Sequence, residues 1–325
     1  MARGLMASGQ FDPVFYQGQT GLPPGADLLR HYAETGRAAG IAPNAHTGLR
    51  WRQAQALGDA MPGGRVVVGI VTYETPAPIL RRAVASVRLS AGRAGIAAGV
   101  ILLDNGGPAS AAVPDAGVLP TGGNVGFGAG HNRLMRAAWE RGAAFYLALN
   151  PDAALHPDAL GALLRMAHAA GGRALVQAQQ FPAEHTVSYD PGTFDTPWIS
   201  GACILIPRPV FDAIGGFDDV FFMYCEDVDL SWRARAAGLR TLTCPAALLF
   251  HPTTDRTLDR ATHERFLDSG LKLAVKWRSP AFAAYARSEI ALHGVGEPDV
   301  SGVVPVADAT IADFEHGFAF APGRW

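Results

Sequence analysis

From residue 65 to residue 251 the chain alternates apolar runs with segments of helical spacing, and that alternation restricts its fold more than any other feature. The runs are "VVVGIVTY" (66–73), "GVILLDN" (99–105), "GVLP" (117–120), "AFYLALN" (144–150), "ALVQAQ" (174–179) and "SGACILIP" (200–207). Between them lie stretches such as "PILRRAVASVRL" (78–89) and "PDALGALLRMAHAAG" (157–171), whose apolar residues recur every three or four positions. Strands that are apolar throughout, rather than at every second residue, must be covered on both faces. With helices between them, they predict an α/β fold built on a mostly parallel sheet flanked by helices. A hydrophobic content of 49% and a mean hydropathy of +0.11 supply enough apolar surface for such a core and argue against extensive disorder.

The flanks read differently. Residues 1–64 are rich in Gly, Pro and Ala, and they predict one or two short helices and a linker, with Leu28, Leu29, Tyr32 and Ala33 at helical spacing before Gly36. After residue 255 a helical stretch, "ERFLDSGLKLAVKWR" (264–278), precedes a tail that reads as irregular to Trp325. The expected organisation is a helical N-terminal segment (1–64), a central α/β domain (65–255) and a C-terminal extension (256–325). A formal charge of −2 and the lack of any basic run give no reason to expect nucleic acid. No apolar run approaches the ~18 residues of a membrane span, and the opening "MARGLMASGQFDP" lacks a signal-peptide core. Cys203, Cys225 and Cys244 are isolated, so neither a disulfide framework nor a zinc site is expected.

Polar residues fall where an α/β sheet binds ligands, beyond the carboxyl ends of its strands. The first run ends in Thr72-Tyr73-Glu74, the second in Asp104-Asn105-Gly106-Gly107 and the fourth in Asn150-Pro151-Asp152. Each set alone suits an ordinary turn; together they point to one ligand-binding edge. "GGNVGFGAGHN" (122–132) places five glycines in nine residues before a helix, where backbone can approach a ligand and helix N–H groups can meet phosphate. Its G-x-G-x-G resembles a dinucleotide fingerprint. That fingerprint belongs in the first βα turn, whereas this one follows the third strand, which disfavours an oxidoreductase.

"MYCEDVDLSWRARAAG" (223–238) sets Glu226, Asp227 and Asp229 within four positions, directly after the greasy "GGFDDVFF". Acids in a first helical turn favour the positive end of the helix dipole, and Asp229 with Arg233 forms an i,i+4 pair. The greasy, turn-rich stretch before them makes a solvated face an unsatisfying reading of all three.

In that order, "VVVGIVTYE", "ILLDNGG", "GGNVGFGAGHN", "LALNPDAAL", "ISGACILIPR", "IGGFDDVFFMYCEDVDLSWRARAAG" and "LLFH" resemble the inverting glycosyltransferases of family 2, with the GT-A fold, and among them the rhamnosyltransferase-like members. The segment 11–44 also resembles a short helical segment found beside such transferases. The resemblance implies that a sugar, rhamnose in the nearest members, passes from a dTDP- or UDP-sugar to an oligosaccharide or lipid-linked glycan during cell-surface polysaccharide synthesis. It implies a cytoplasmic enzyme able to associate with the inner face of the membrane. Asp227 of the Glu226-Asp227 pair would take the acceptor proton. Thr72, Tyr73, Glu74, Asp104 and Asn105 would lie around the pyrimidine and ribose. Asn124, Gly126, Asn132, Asn150 and Gly201 would line the rest of the nucleotide-sugar. Asp152 would hold a divalent metal, Mg²⁺ or Mn²⁺, with His251 completing the site. Asn150 stands where the family's D-x-D motif usually has an acid. The alternatives are a non-catalytic nucleotide or glycan binder on the same fold and, more remotely, the oxidoreductase.

Overall fold

The computed structural model of the protein describes residues 10–107, 113–182, 187–252 and 260–315. The first nine residues, and the end of the tail expected to be irregular, lie outside the described residues. In chain order the elements are α1 (Pro13–Thr20), α2 (Leu28–His31, running on into a π-helical turn Tyr32–Gly36), α3 (Ala45–Leu57), β1 (Arg65–Thr72), α4 (Ala77–Ala94), β2 (Ala98–Asp104), β3 (Gly117–Pro120), α5 (Phe127–Glu140) and β4 (Ala143–Leu149). They continue with β5 (Ala154–Leu155), α6 (Ala159–Ala169), β6 (Ala174–Pro182), β7 (Cys203–Pro207), α7 (Arg208–Ile214), α8 (Glu226–Ala236), β8 (Arg240–His251), α9 (Arg260–Lys276) and α10 (Pro280–Leu292).

Among the described residues one sheet contains every strand, in the order β3-β2-β1-β4-β7-β6-β8-β5. β1 pairs in parallel with β2 and β4, β2 with β3, and β6 with β8. Only β7 and β5 run against their neighbours. The mostly parallel sheet read from the apolar runs is therefore present, with two reversals that apolar content could not disclose. Successive β1 residues feed opposite faces. Val66, Val68 and Ile70 pack with Leu80, Val84 and Val87 of α4 and Leu160, Leu163 and Leu164 of α6. Val67 and Val71 pack with Leu134, Met135 and Ala138 of α5. Gly69 faces this second layer because a Cβ there would overlap the Tyr146 hydroxyl, which is 2.7 Å from His131 Nδ1.

Two elements depart from expectation, and a third was not read from the sequence. The supposed linker holds α3, a 13-residue helix started by Asn44, whose Oδ1 accepts from Thr47 N at 2.7 Å. The C-terminal tail holds α10, capped by Ser279 with Pro280 at its first position. The short helix α7 follows β7 directly, beginning with Arg208-Pro209.

Candidate active site

The reversal of β7 builds the site. β4 and β7 are antiparallel, with Leu149 opposite Cys203, so the segment entering β7 lies beside the segment leaving β4. Asn150 N then donates to Ala202 O at 2.9 Å, and Gly201 arrives at the same sheet edge as Asn150. Because β6 and β8 run parallel to β4, the C-terminal residue of β8, His251, reaches that edge as well.

A cleft of about 720 Å³ opens there. Its lining includes the expected Tyr73, Glu74, Asn105, Asn124, Gly126, Asn150, Asp152, Gly201, Glu226, Asp227 and His251. Thr72 and Asp104 pair across β1 and β2 but neither lines the cleft, although Val71, Tyr73 and Asn105 next to them do. Asp104 Oδ1 accepts from Gly106 N at 3.0 Å and closes the turn after β2. Asn132, expected among the phosphates, is buried away from the cleft. Its amide donates to Phe217 O and to Asp219 Oδ1 and accepts from Phe217 N, each at 2.8 Å. It pins the loop that leads to the acidic helix.

The glycine-rich loop meets the same loop. Gly126 has φ +85°, and a Cβ there would overlap the Phe222 carbonyl, which accepts from Phe127 N at 3.0 Å. Asn105 ties this loop to β2, donating to Gly126 O and accepting from Val125 N, both at 3.2 Å. Gly126 is therefore required by the packing of protein backbone against protein backbone, while Gly128 and Gly130 make room for the side chains of Phe217 and Val71.

The acids begin α8 after two residues held in the left-handed region, Tyr224 (φ 72°) and Cys225 (φ 64°). Left-handed conformations in non-glycine residues are strained and concentrate at functional sites. Asp227 Oδ2 accepts from Gly201 N at 2.8 Å and Oδ1 from Val228 N at 2.9 Å. Burial raises the Asp227 pKa above the ordinary carboxylate value, while these backbone donors pull against the rise. Glu226 is 5% exposed, and its Oε2 has no hydrogen-bond partner among the described residues. Burial, and then the charge of Asp227, push its pKa well up. Asp229 is fully buried and structural, as its i,i+4 spacing implied. It receives Arg233 Nε at 2.7 Å, Trp277 Nε1 at 3.0 Å and Lys276 Nζ at 2.7 Å. The last two partners come from the end of α9 and the residue after it, so the C-terminal extension braces the acidic helix.

Across the cleft, His251 Nε2 lies 3.4 Å from Asp152 Oδ1 and 3.3 Å from Asn150 Nδ2. His251 Nδ1 is 2.8 Å from Gln180 Oε1. An amide oxygen can only accept, so this contact assigns the imidazole proton to Nδ1 and turns the Nε2 lone pair toward Asp152. Gln180 was not legible as a site residue. Nor was Arg82, the only Lys or Arg in the lining among the described residues. It donates through Nη2 to Asp152 O at 2.8 Å and lies 5.5 Å over the Phe250 ring. Its place in a helix of ordinary amphipathic spacing gave no signal; only the return of Asp152 to that helix reveals it.

Such a fold, with carboxylates and an Asp–His pair across one cleft at the strand ends, defines a glycosyltransferase of the GT-A fold. The structure of GalNAc-T7 with UDP, GalNAc and Mn²⁺ superposes with a TM-score of 0.53 at 12% identity, over 73% of this chain and 52% of that one. The chain is 32% identical over 243 residues to the N-acetylglucosaminyl-diphospho-decaprenol L-rhamnosyltransferase of Mycobacterium tuberculosis, covering 59% of this chain and 78% of that protein. It belongs to that rhamnosyltransferase family. A shorter match, 41% over 54 residues, covering 17% of this chain and 20% of the relative, joins it to rhamnosyltransferase WbbL of Escherichia coli. No family model matches the chain. The dinucleotide-dependent alternative is set aside.

Proposed function

We propose that the protein is an inverting transferase that moves rhamnose from a pyrimidine nucleoside-diphosphate donor, dTDP before UDP, to a lipid-linked glycan in cell-surface polysaccharide synthesis. The observation that carries the reading is Asp227: a half-buried carboxylate with a raised pKa, oriented by two backbone N–H groups, in the same cleft as Asp152 and His251. The acceptor hydroxyl oxygen attacks the anomeric carbon from the face opposite the diphosphate. Its proton passes to Asp227, and the electron pair of the breaking C–O bond leaves with the diphosphate. A base whose pKa is lifted by burial accepts that proton more readily than one in water. Glu226, buried beside it with its own pKa pushed well up, marks the base environment as poorly solvated.

Asp152 and His251 fit a divalent cation. Their donor atoms lie 3.4 Å apart on one wall, and Gln180 fixes the imidazole tautomer that a metal ligand requires. Among the described residues no larger cluster of His, Cys, Asp or Glu gathers. A hard cation such as Mg²⁺ held by few protein ligands completes its shell with substrate phosphates and water. When bound, it would offset the charge that develops on the departing diphosphate. Asp104, expected at the N3–H of thymine or uracil, lies outside the cleft lining with Oδ1 on Gly106 N, so the pyrimidine donor rests on the family resemblance. The lipid-linked acceptor rests on the name of the mycobacterial relative. No helix among the described residues is long and apolar enough to cross a membrane.

Asp227→Asn tests the assignment. It should slow sugar transfer by roughly 10²–10⁴-fold, the usual worth of a general base, while the affinity for dTDP measured by calorimetry stays within about twofold. A near-wild-type rate in Asp227→Asn with a dead Glu226→Gln would move the base to Glu226.

A further inference from the structure

A second cavity, of about 230 Å³, shares no lining residue with the catalytic cleft. It is walled by α3, the C-terminal end of α4, the first turns of α6 and Ala246 of β8. Three guanidinium groups face it, those of Arg50, Arg93 and Arg165, against a single carboxylate, Asp158. Asp158 is engaged by Arg93, whose Nε lies 3.1 Å from Oδ1. Arg50 uses its Nε on Pro245 O at 3.0 Å and shares the charge of Asp158 with Arg93. Arg165 is the least satisfied. Its Nη1 approaches only a thioether, Met61 Sδ at 3.8 Å, and its Nε is buried with no partner among the described residues. A buried guanidinium N–H without an acceptor is costly and calls for an explanation. Gly161 leaves room for that guanidinium, since a Cβ there would come within 3.2 Å of Arg165 Nη1. The cavity thus carries two surplus positive charges, and planar forked donors of this kind match phosphate oxygens.

We propose that this cavity binds a phosphate group, supplied by a free anion or by a phospholipid headgroup. The bound phosphate ties the N-terminal segment, through Arg50, to Arg93 and Arg165 of the transferase fold. That gives the N-terminal helices a recognition role separate from sugar transfer, and the inference does not depend on the donor or acceptor named above.

The test uses the full chain in buffer free of phosphate and sulfate. Inorganic phosphate is titrated calorimetrically, and sedimentation is followed with phosphatidylcholine vesicles with and without phosphatidic acid. Wild type should bind at least one probe, and Arg165→Met should weaken that binding by roughly ten- to a hundredfold, the worth of one charge-assisted hydrogen bond. Arg93→Gln, at a side chain 70% exposed, should weaken it too, and serves if Arg165→Met fails to fold. Sedimentation that needs both phosphatidic acid and Arg165 assigns a lipid headgroup; saturable phosphate binding without vesicle binding assigns a free anion. Failure of both probes to bind overturns the proposal. So does binding that neither substitution weakens, which would place the phosphate elsewhere.

Discussion

Glu226 illustrates how much of a candidate site residue a sequence discloses. Its chemistry and its neighbour Asp227 are legible in the string "CEDVD"; its burial is not, because the walls that dry it come from distant segments. Gly128, for one, stands close enough that a Cβ there would lie 3.7 Å from the Glu226 Cβ. Burial has a thermodynamic consequence with a definite sign. The folded pKa of Glu226 lies well above its ordinary value, so between those two pH values the folded state holds a proton that the unfolded chain releases. Stability therefore falls as pH rises through that window, and the loss persists at neutral pH. Glu226→Gln should raise the thermal midpoint at pH 7 and remove this part of its pH dependence. The two melting curves should converge as pH drops below the ordinary glutamate range. A variant less stable than wild type at pH 7 would show that the carboxylate is paired in solution. On the proposed assignment of Asp227 as the base, its raised pKa should place the acid limb of the kcat/KM profile above the ordinary aspartate range.

Among the elements, strand identity was legible and strand direction was not, because a buried strand has the same composition whichever way it runs. β7 shows the effect: "CILIP" reads as one more apolar run, and only pairing reveals the reversal that brings Gly201 to Asp227. Strand β8 hid more. Its pairing with β6 shifts register between Ala178 and Gln179, so residues 245–247 bulge out of the ladder. Pro245 has no N–H to donate, and the backbone groups freed by the bulge need partners. Helix α3 provides them. Gln53 Oε1 accepts from Ala246 N at 2.7 Å, and Arg50 donates to Pro245 O. The glutamine is 2% exposed, nearly 200 residues away in sequence, and sits in a stretch read as linker. Gln53→Leu keeps the bulk and removes the acceptor, leaving the Ala246 N–H buried and unpaired. It should cost about 1–3 kcal/mol in urea unfolding. A change within about 0.5 kcal/mol would mean that the N-terminal segment contributes little to holding the bulge.

For the molecule as a whole, the decisive quantity is the charge of the cleft. Among the described residues its lining carries four carboxylates, Glu74, Asp152, Glu226 and Asp227, against one guanidinium, Arg82. A site of that balance repels a nucleoside diphosphate, so the family's chemistry requires added positive charge. The sequence hinted at this through Asp152 and His251, and Arg133, beside the glycine-rich loop, and Arg233, on the acidic helix, are the basic side chains nearest to the site in the sequence. Arg233 is spent on Asp229, Ile214 O and Gly216 O, and Arg133 does not line the cleft. Arg82, held beside Asp152 by a backbone carbonyl and an aromatic face, is the side chain placed to share the work with a divalent cation. One charge pair at about 4 Å near a protein surface is worth up to about 4 kcal/mol, and solvent at the open cleft reduces it. The affinity for dTDP should therefore fall roughly 10- to 10³-fold when Mn²⁺ and Mg²⁺ are removed with EDTA. Arg82→Ala should weaken dTDP binding further and leave almost none in EDTA, whereas Arg82→Lys should restore part of it. Calorimetric titration of dTDP into each variant, with and without metal, reads both effects. Equal affinity in EDTA would remove the cation from Asp152 and His251; an unchanged affinity in Arg82→Ala would remove Arg82 from the diphosphate.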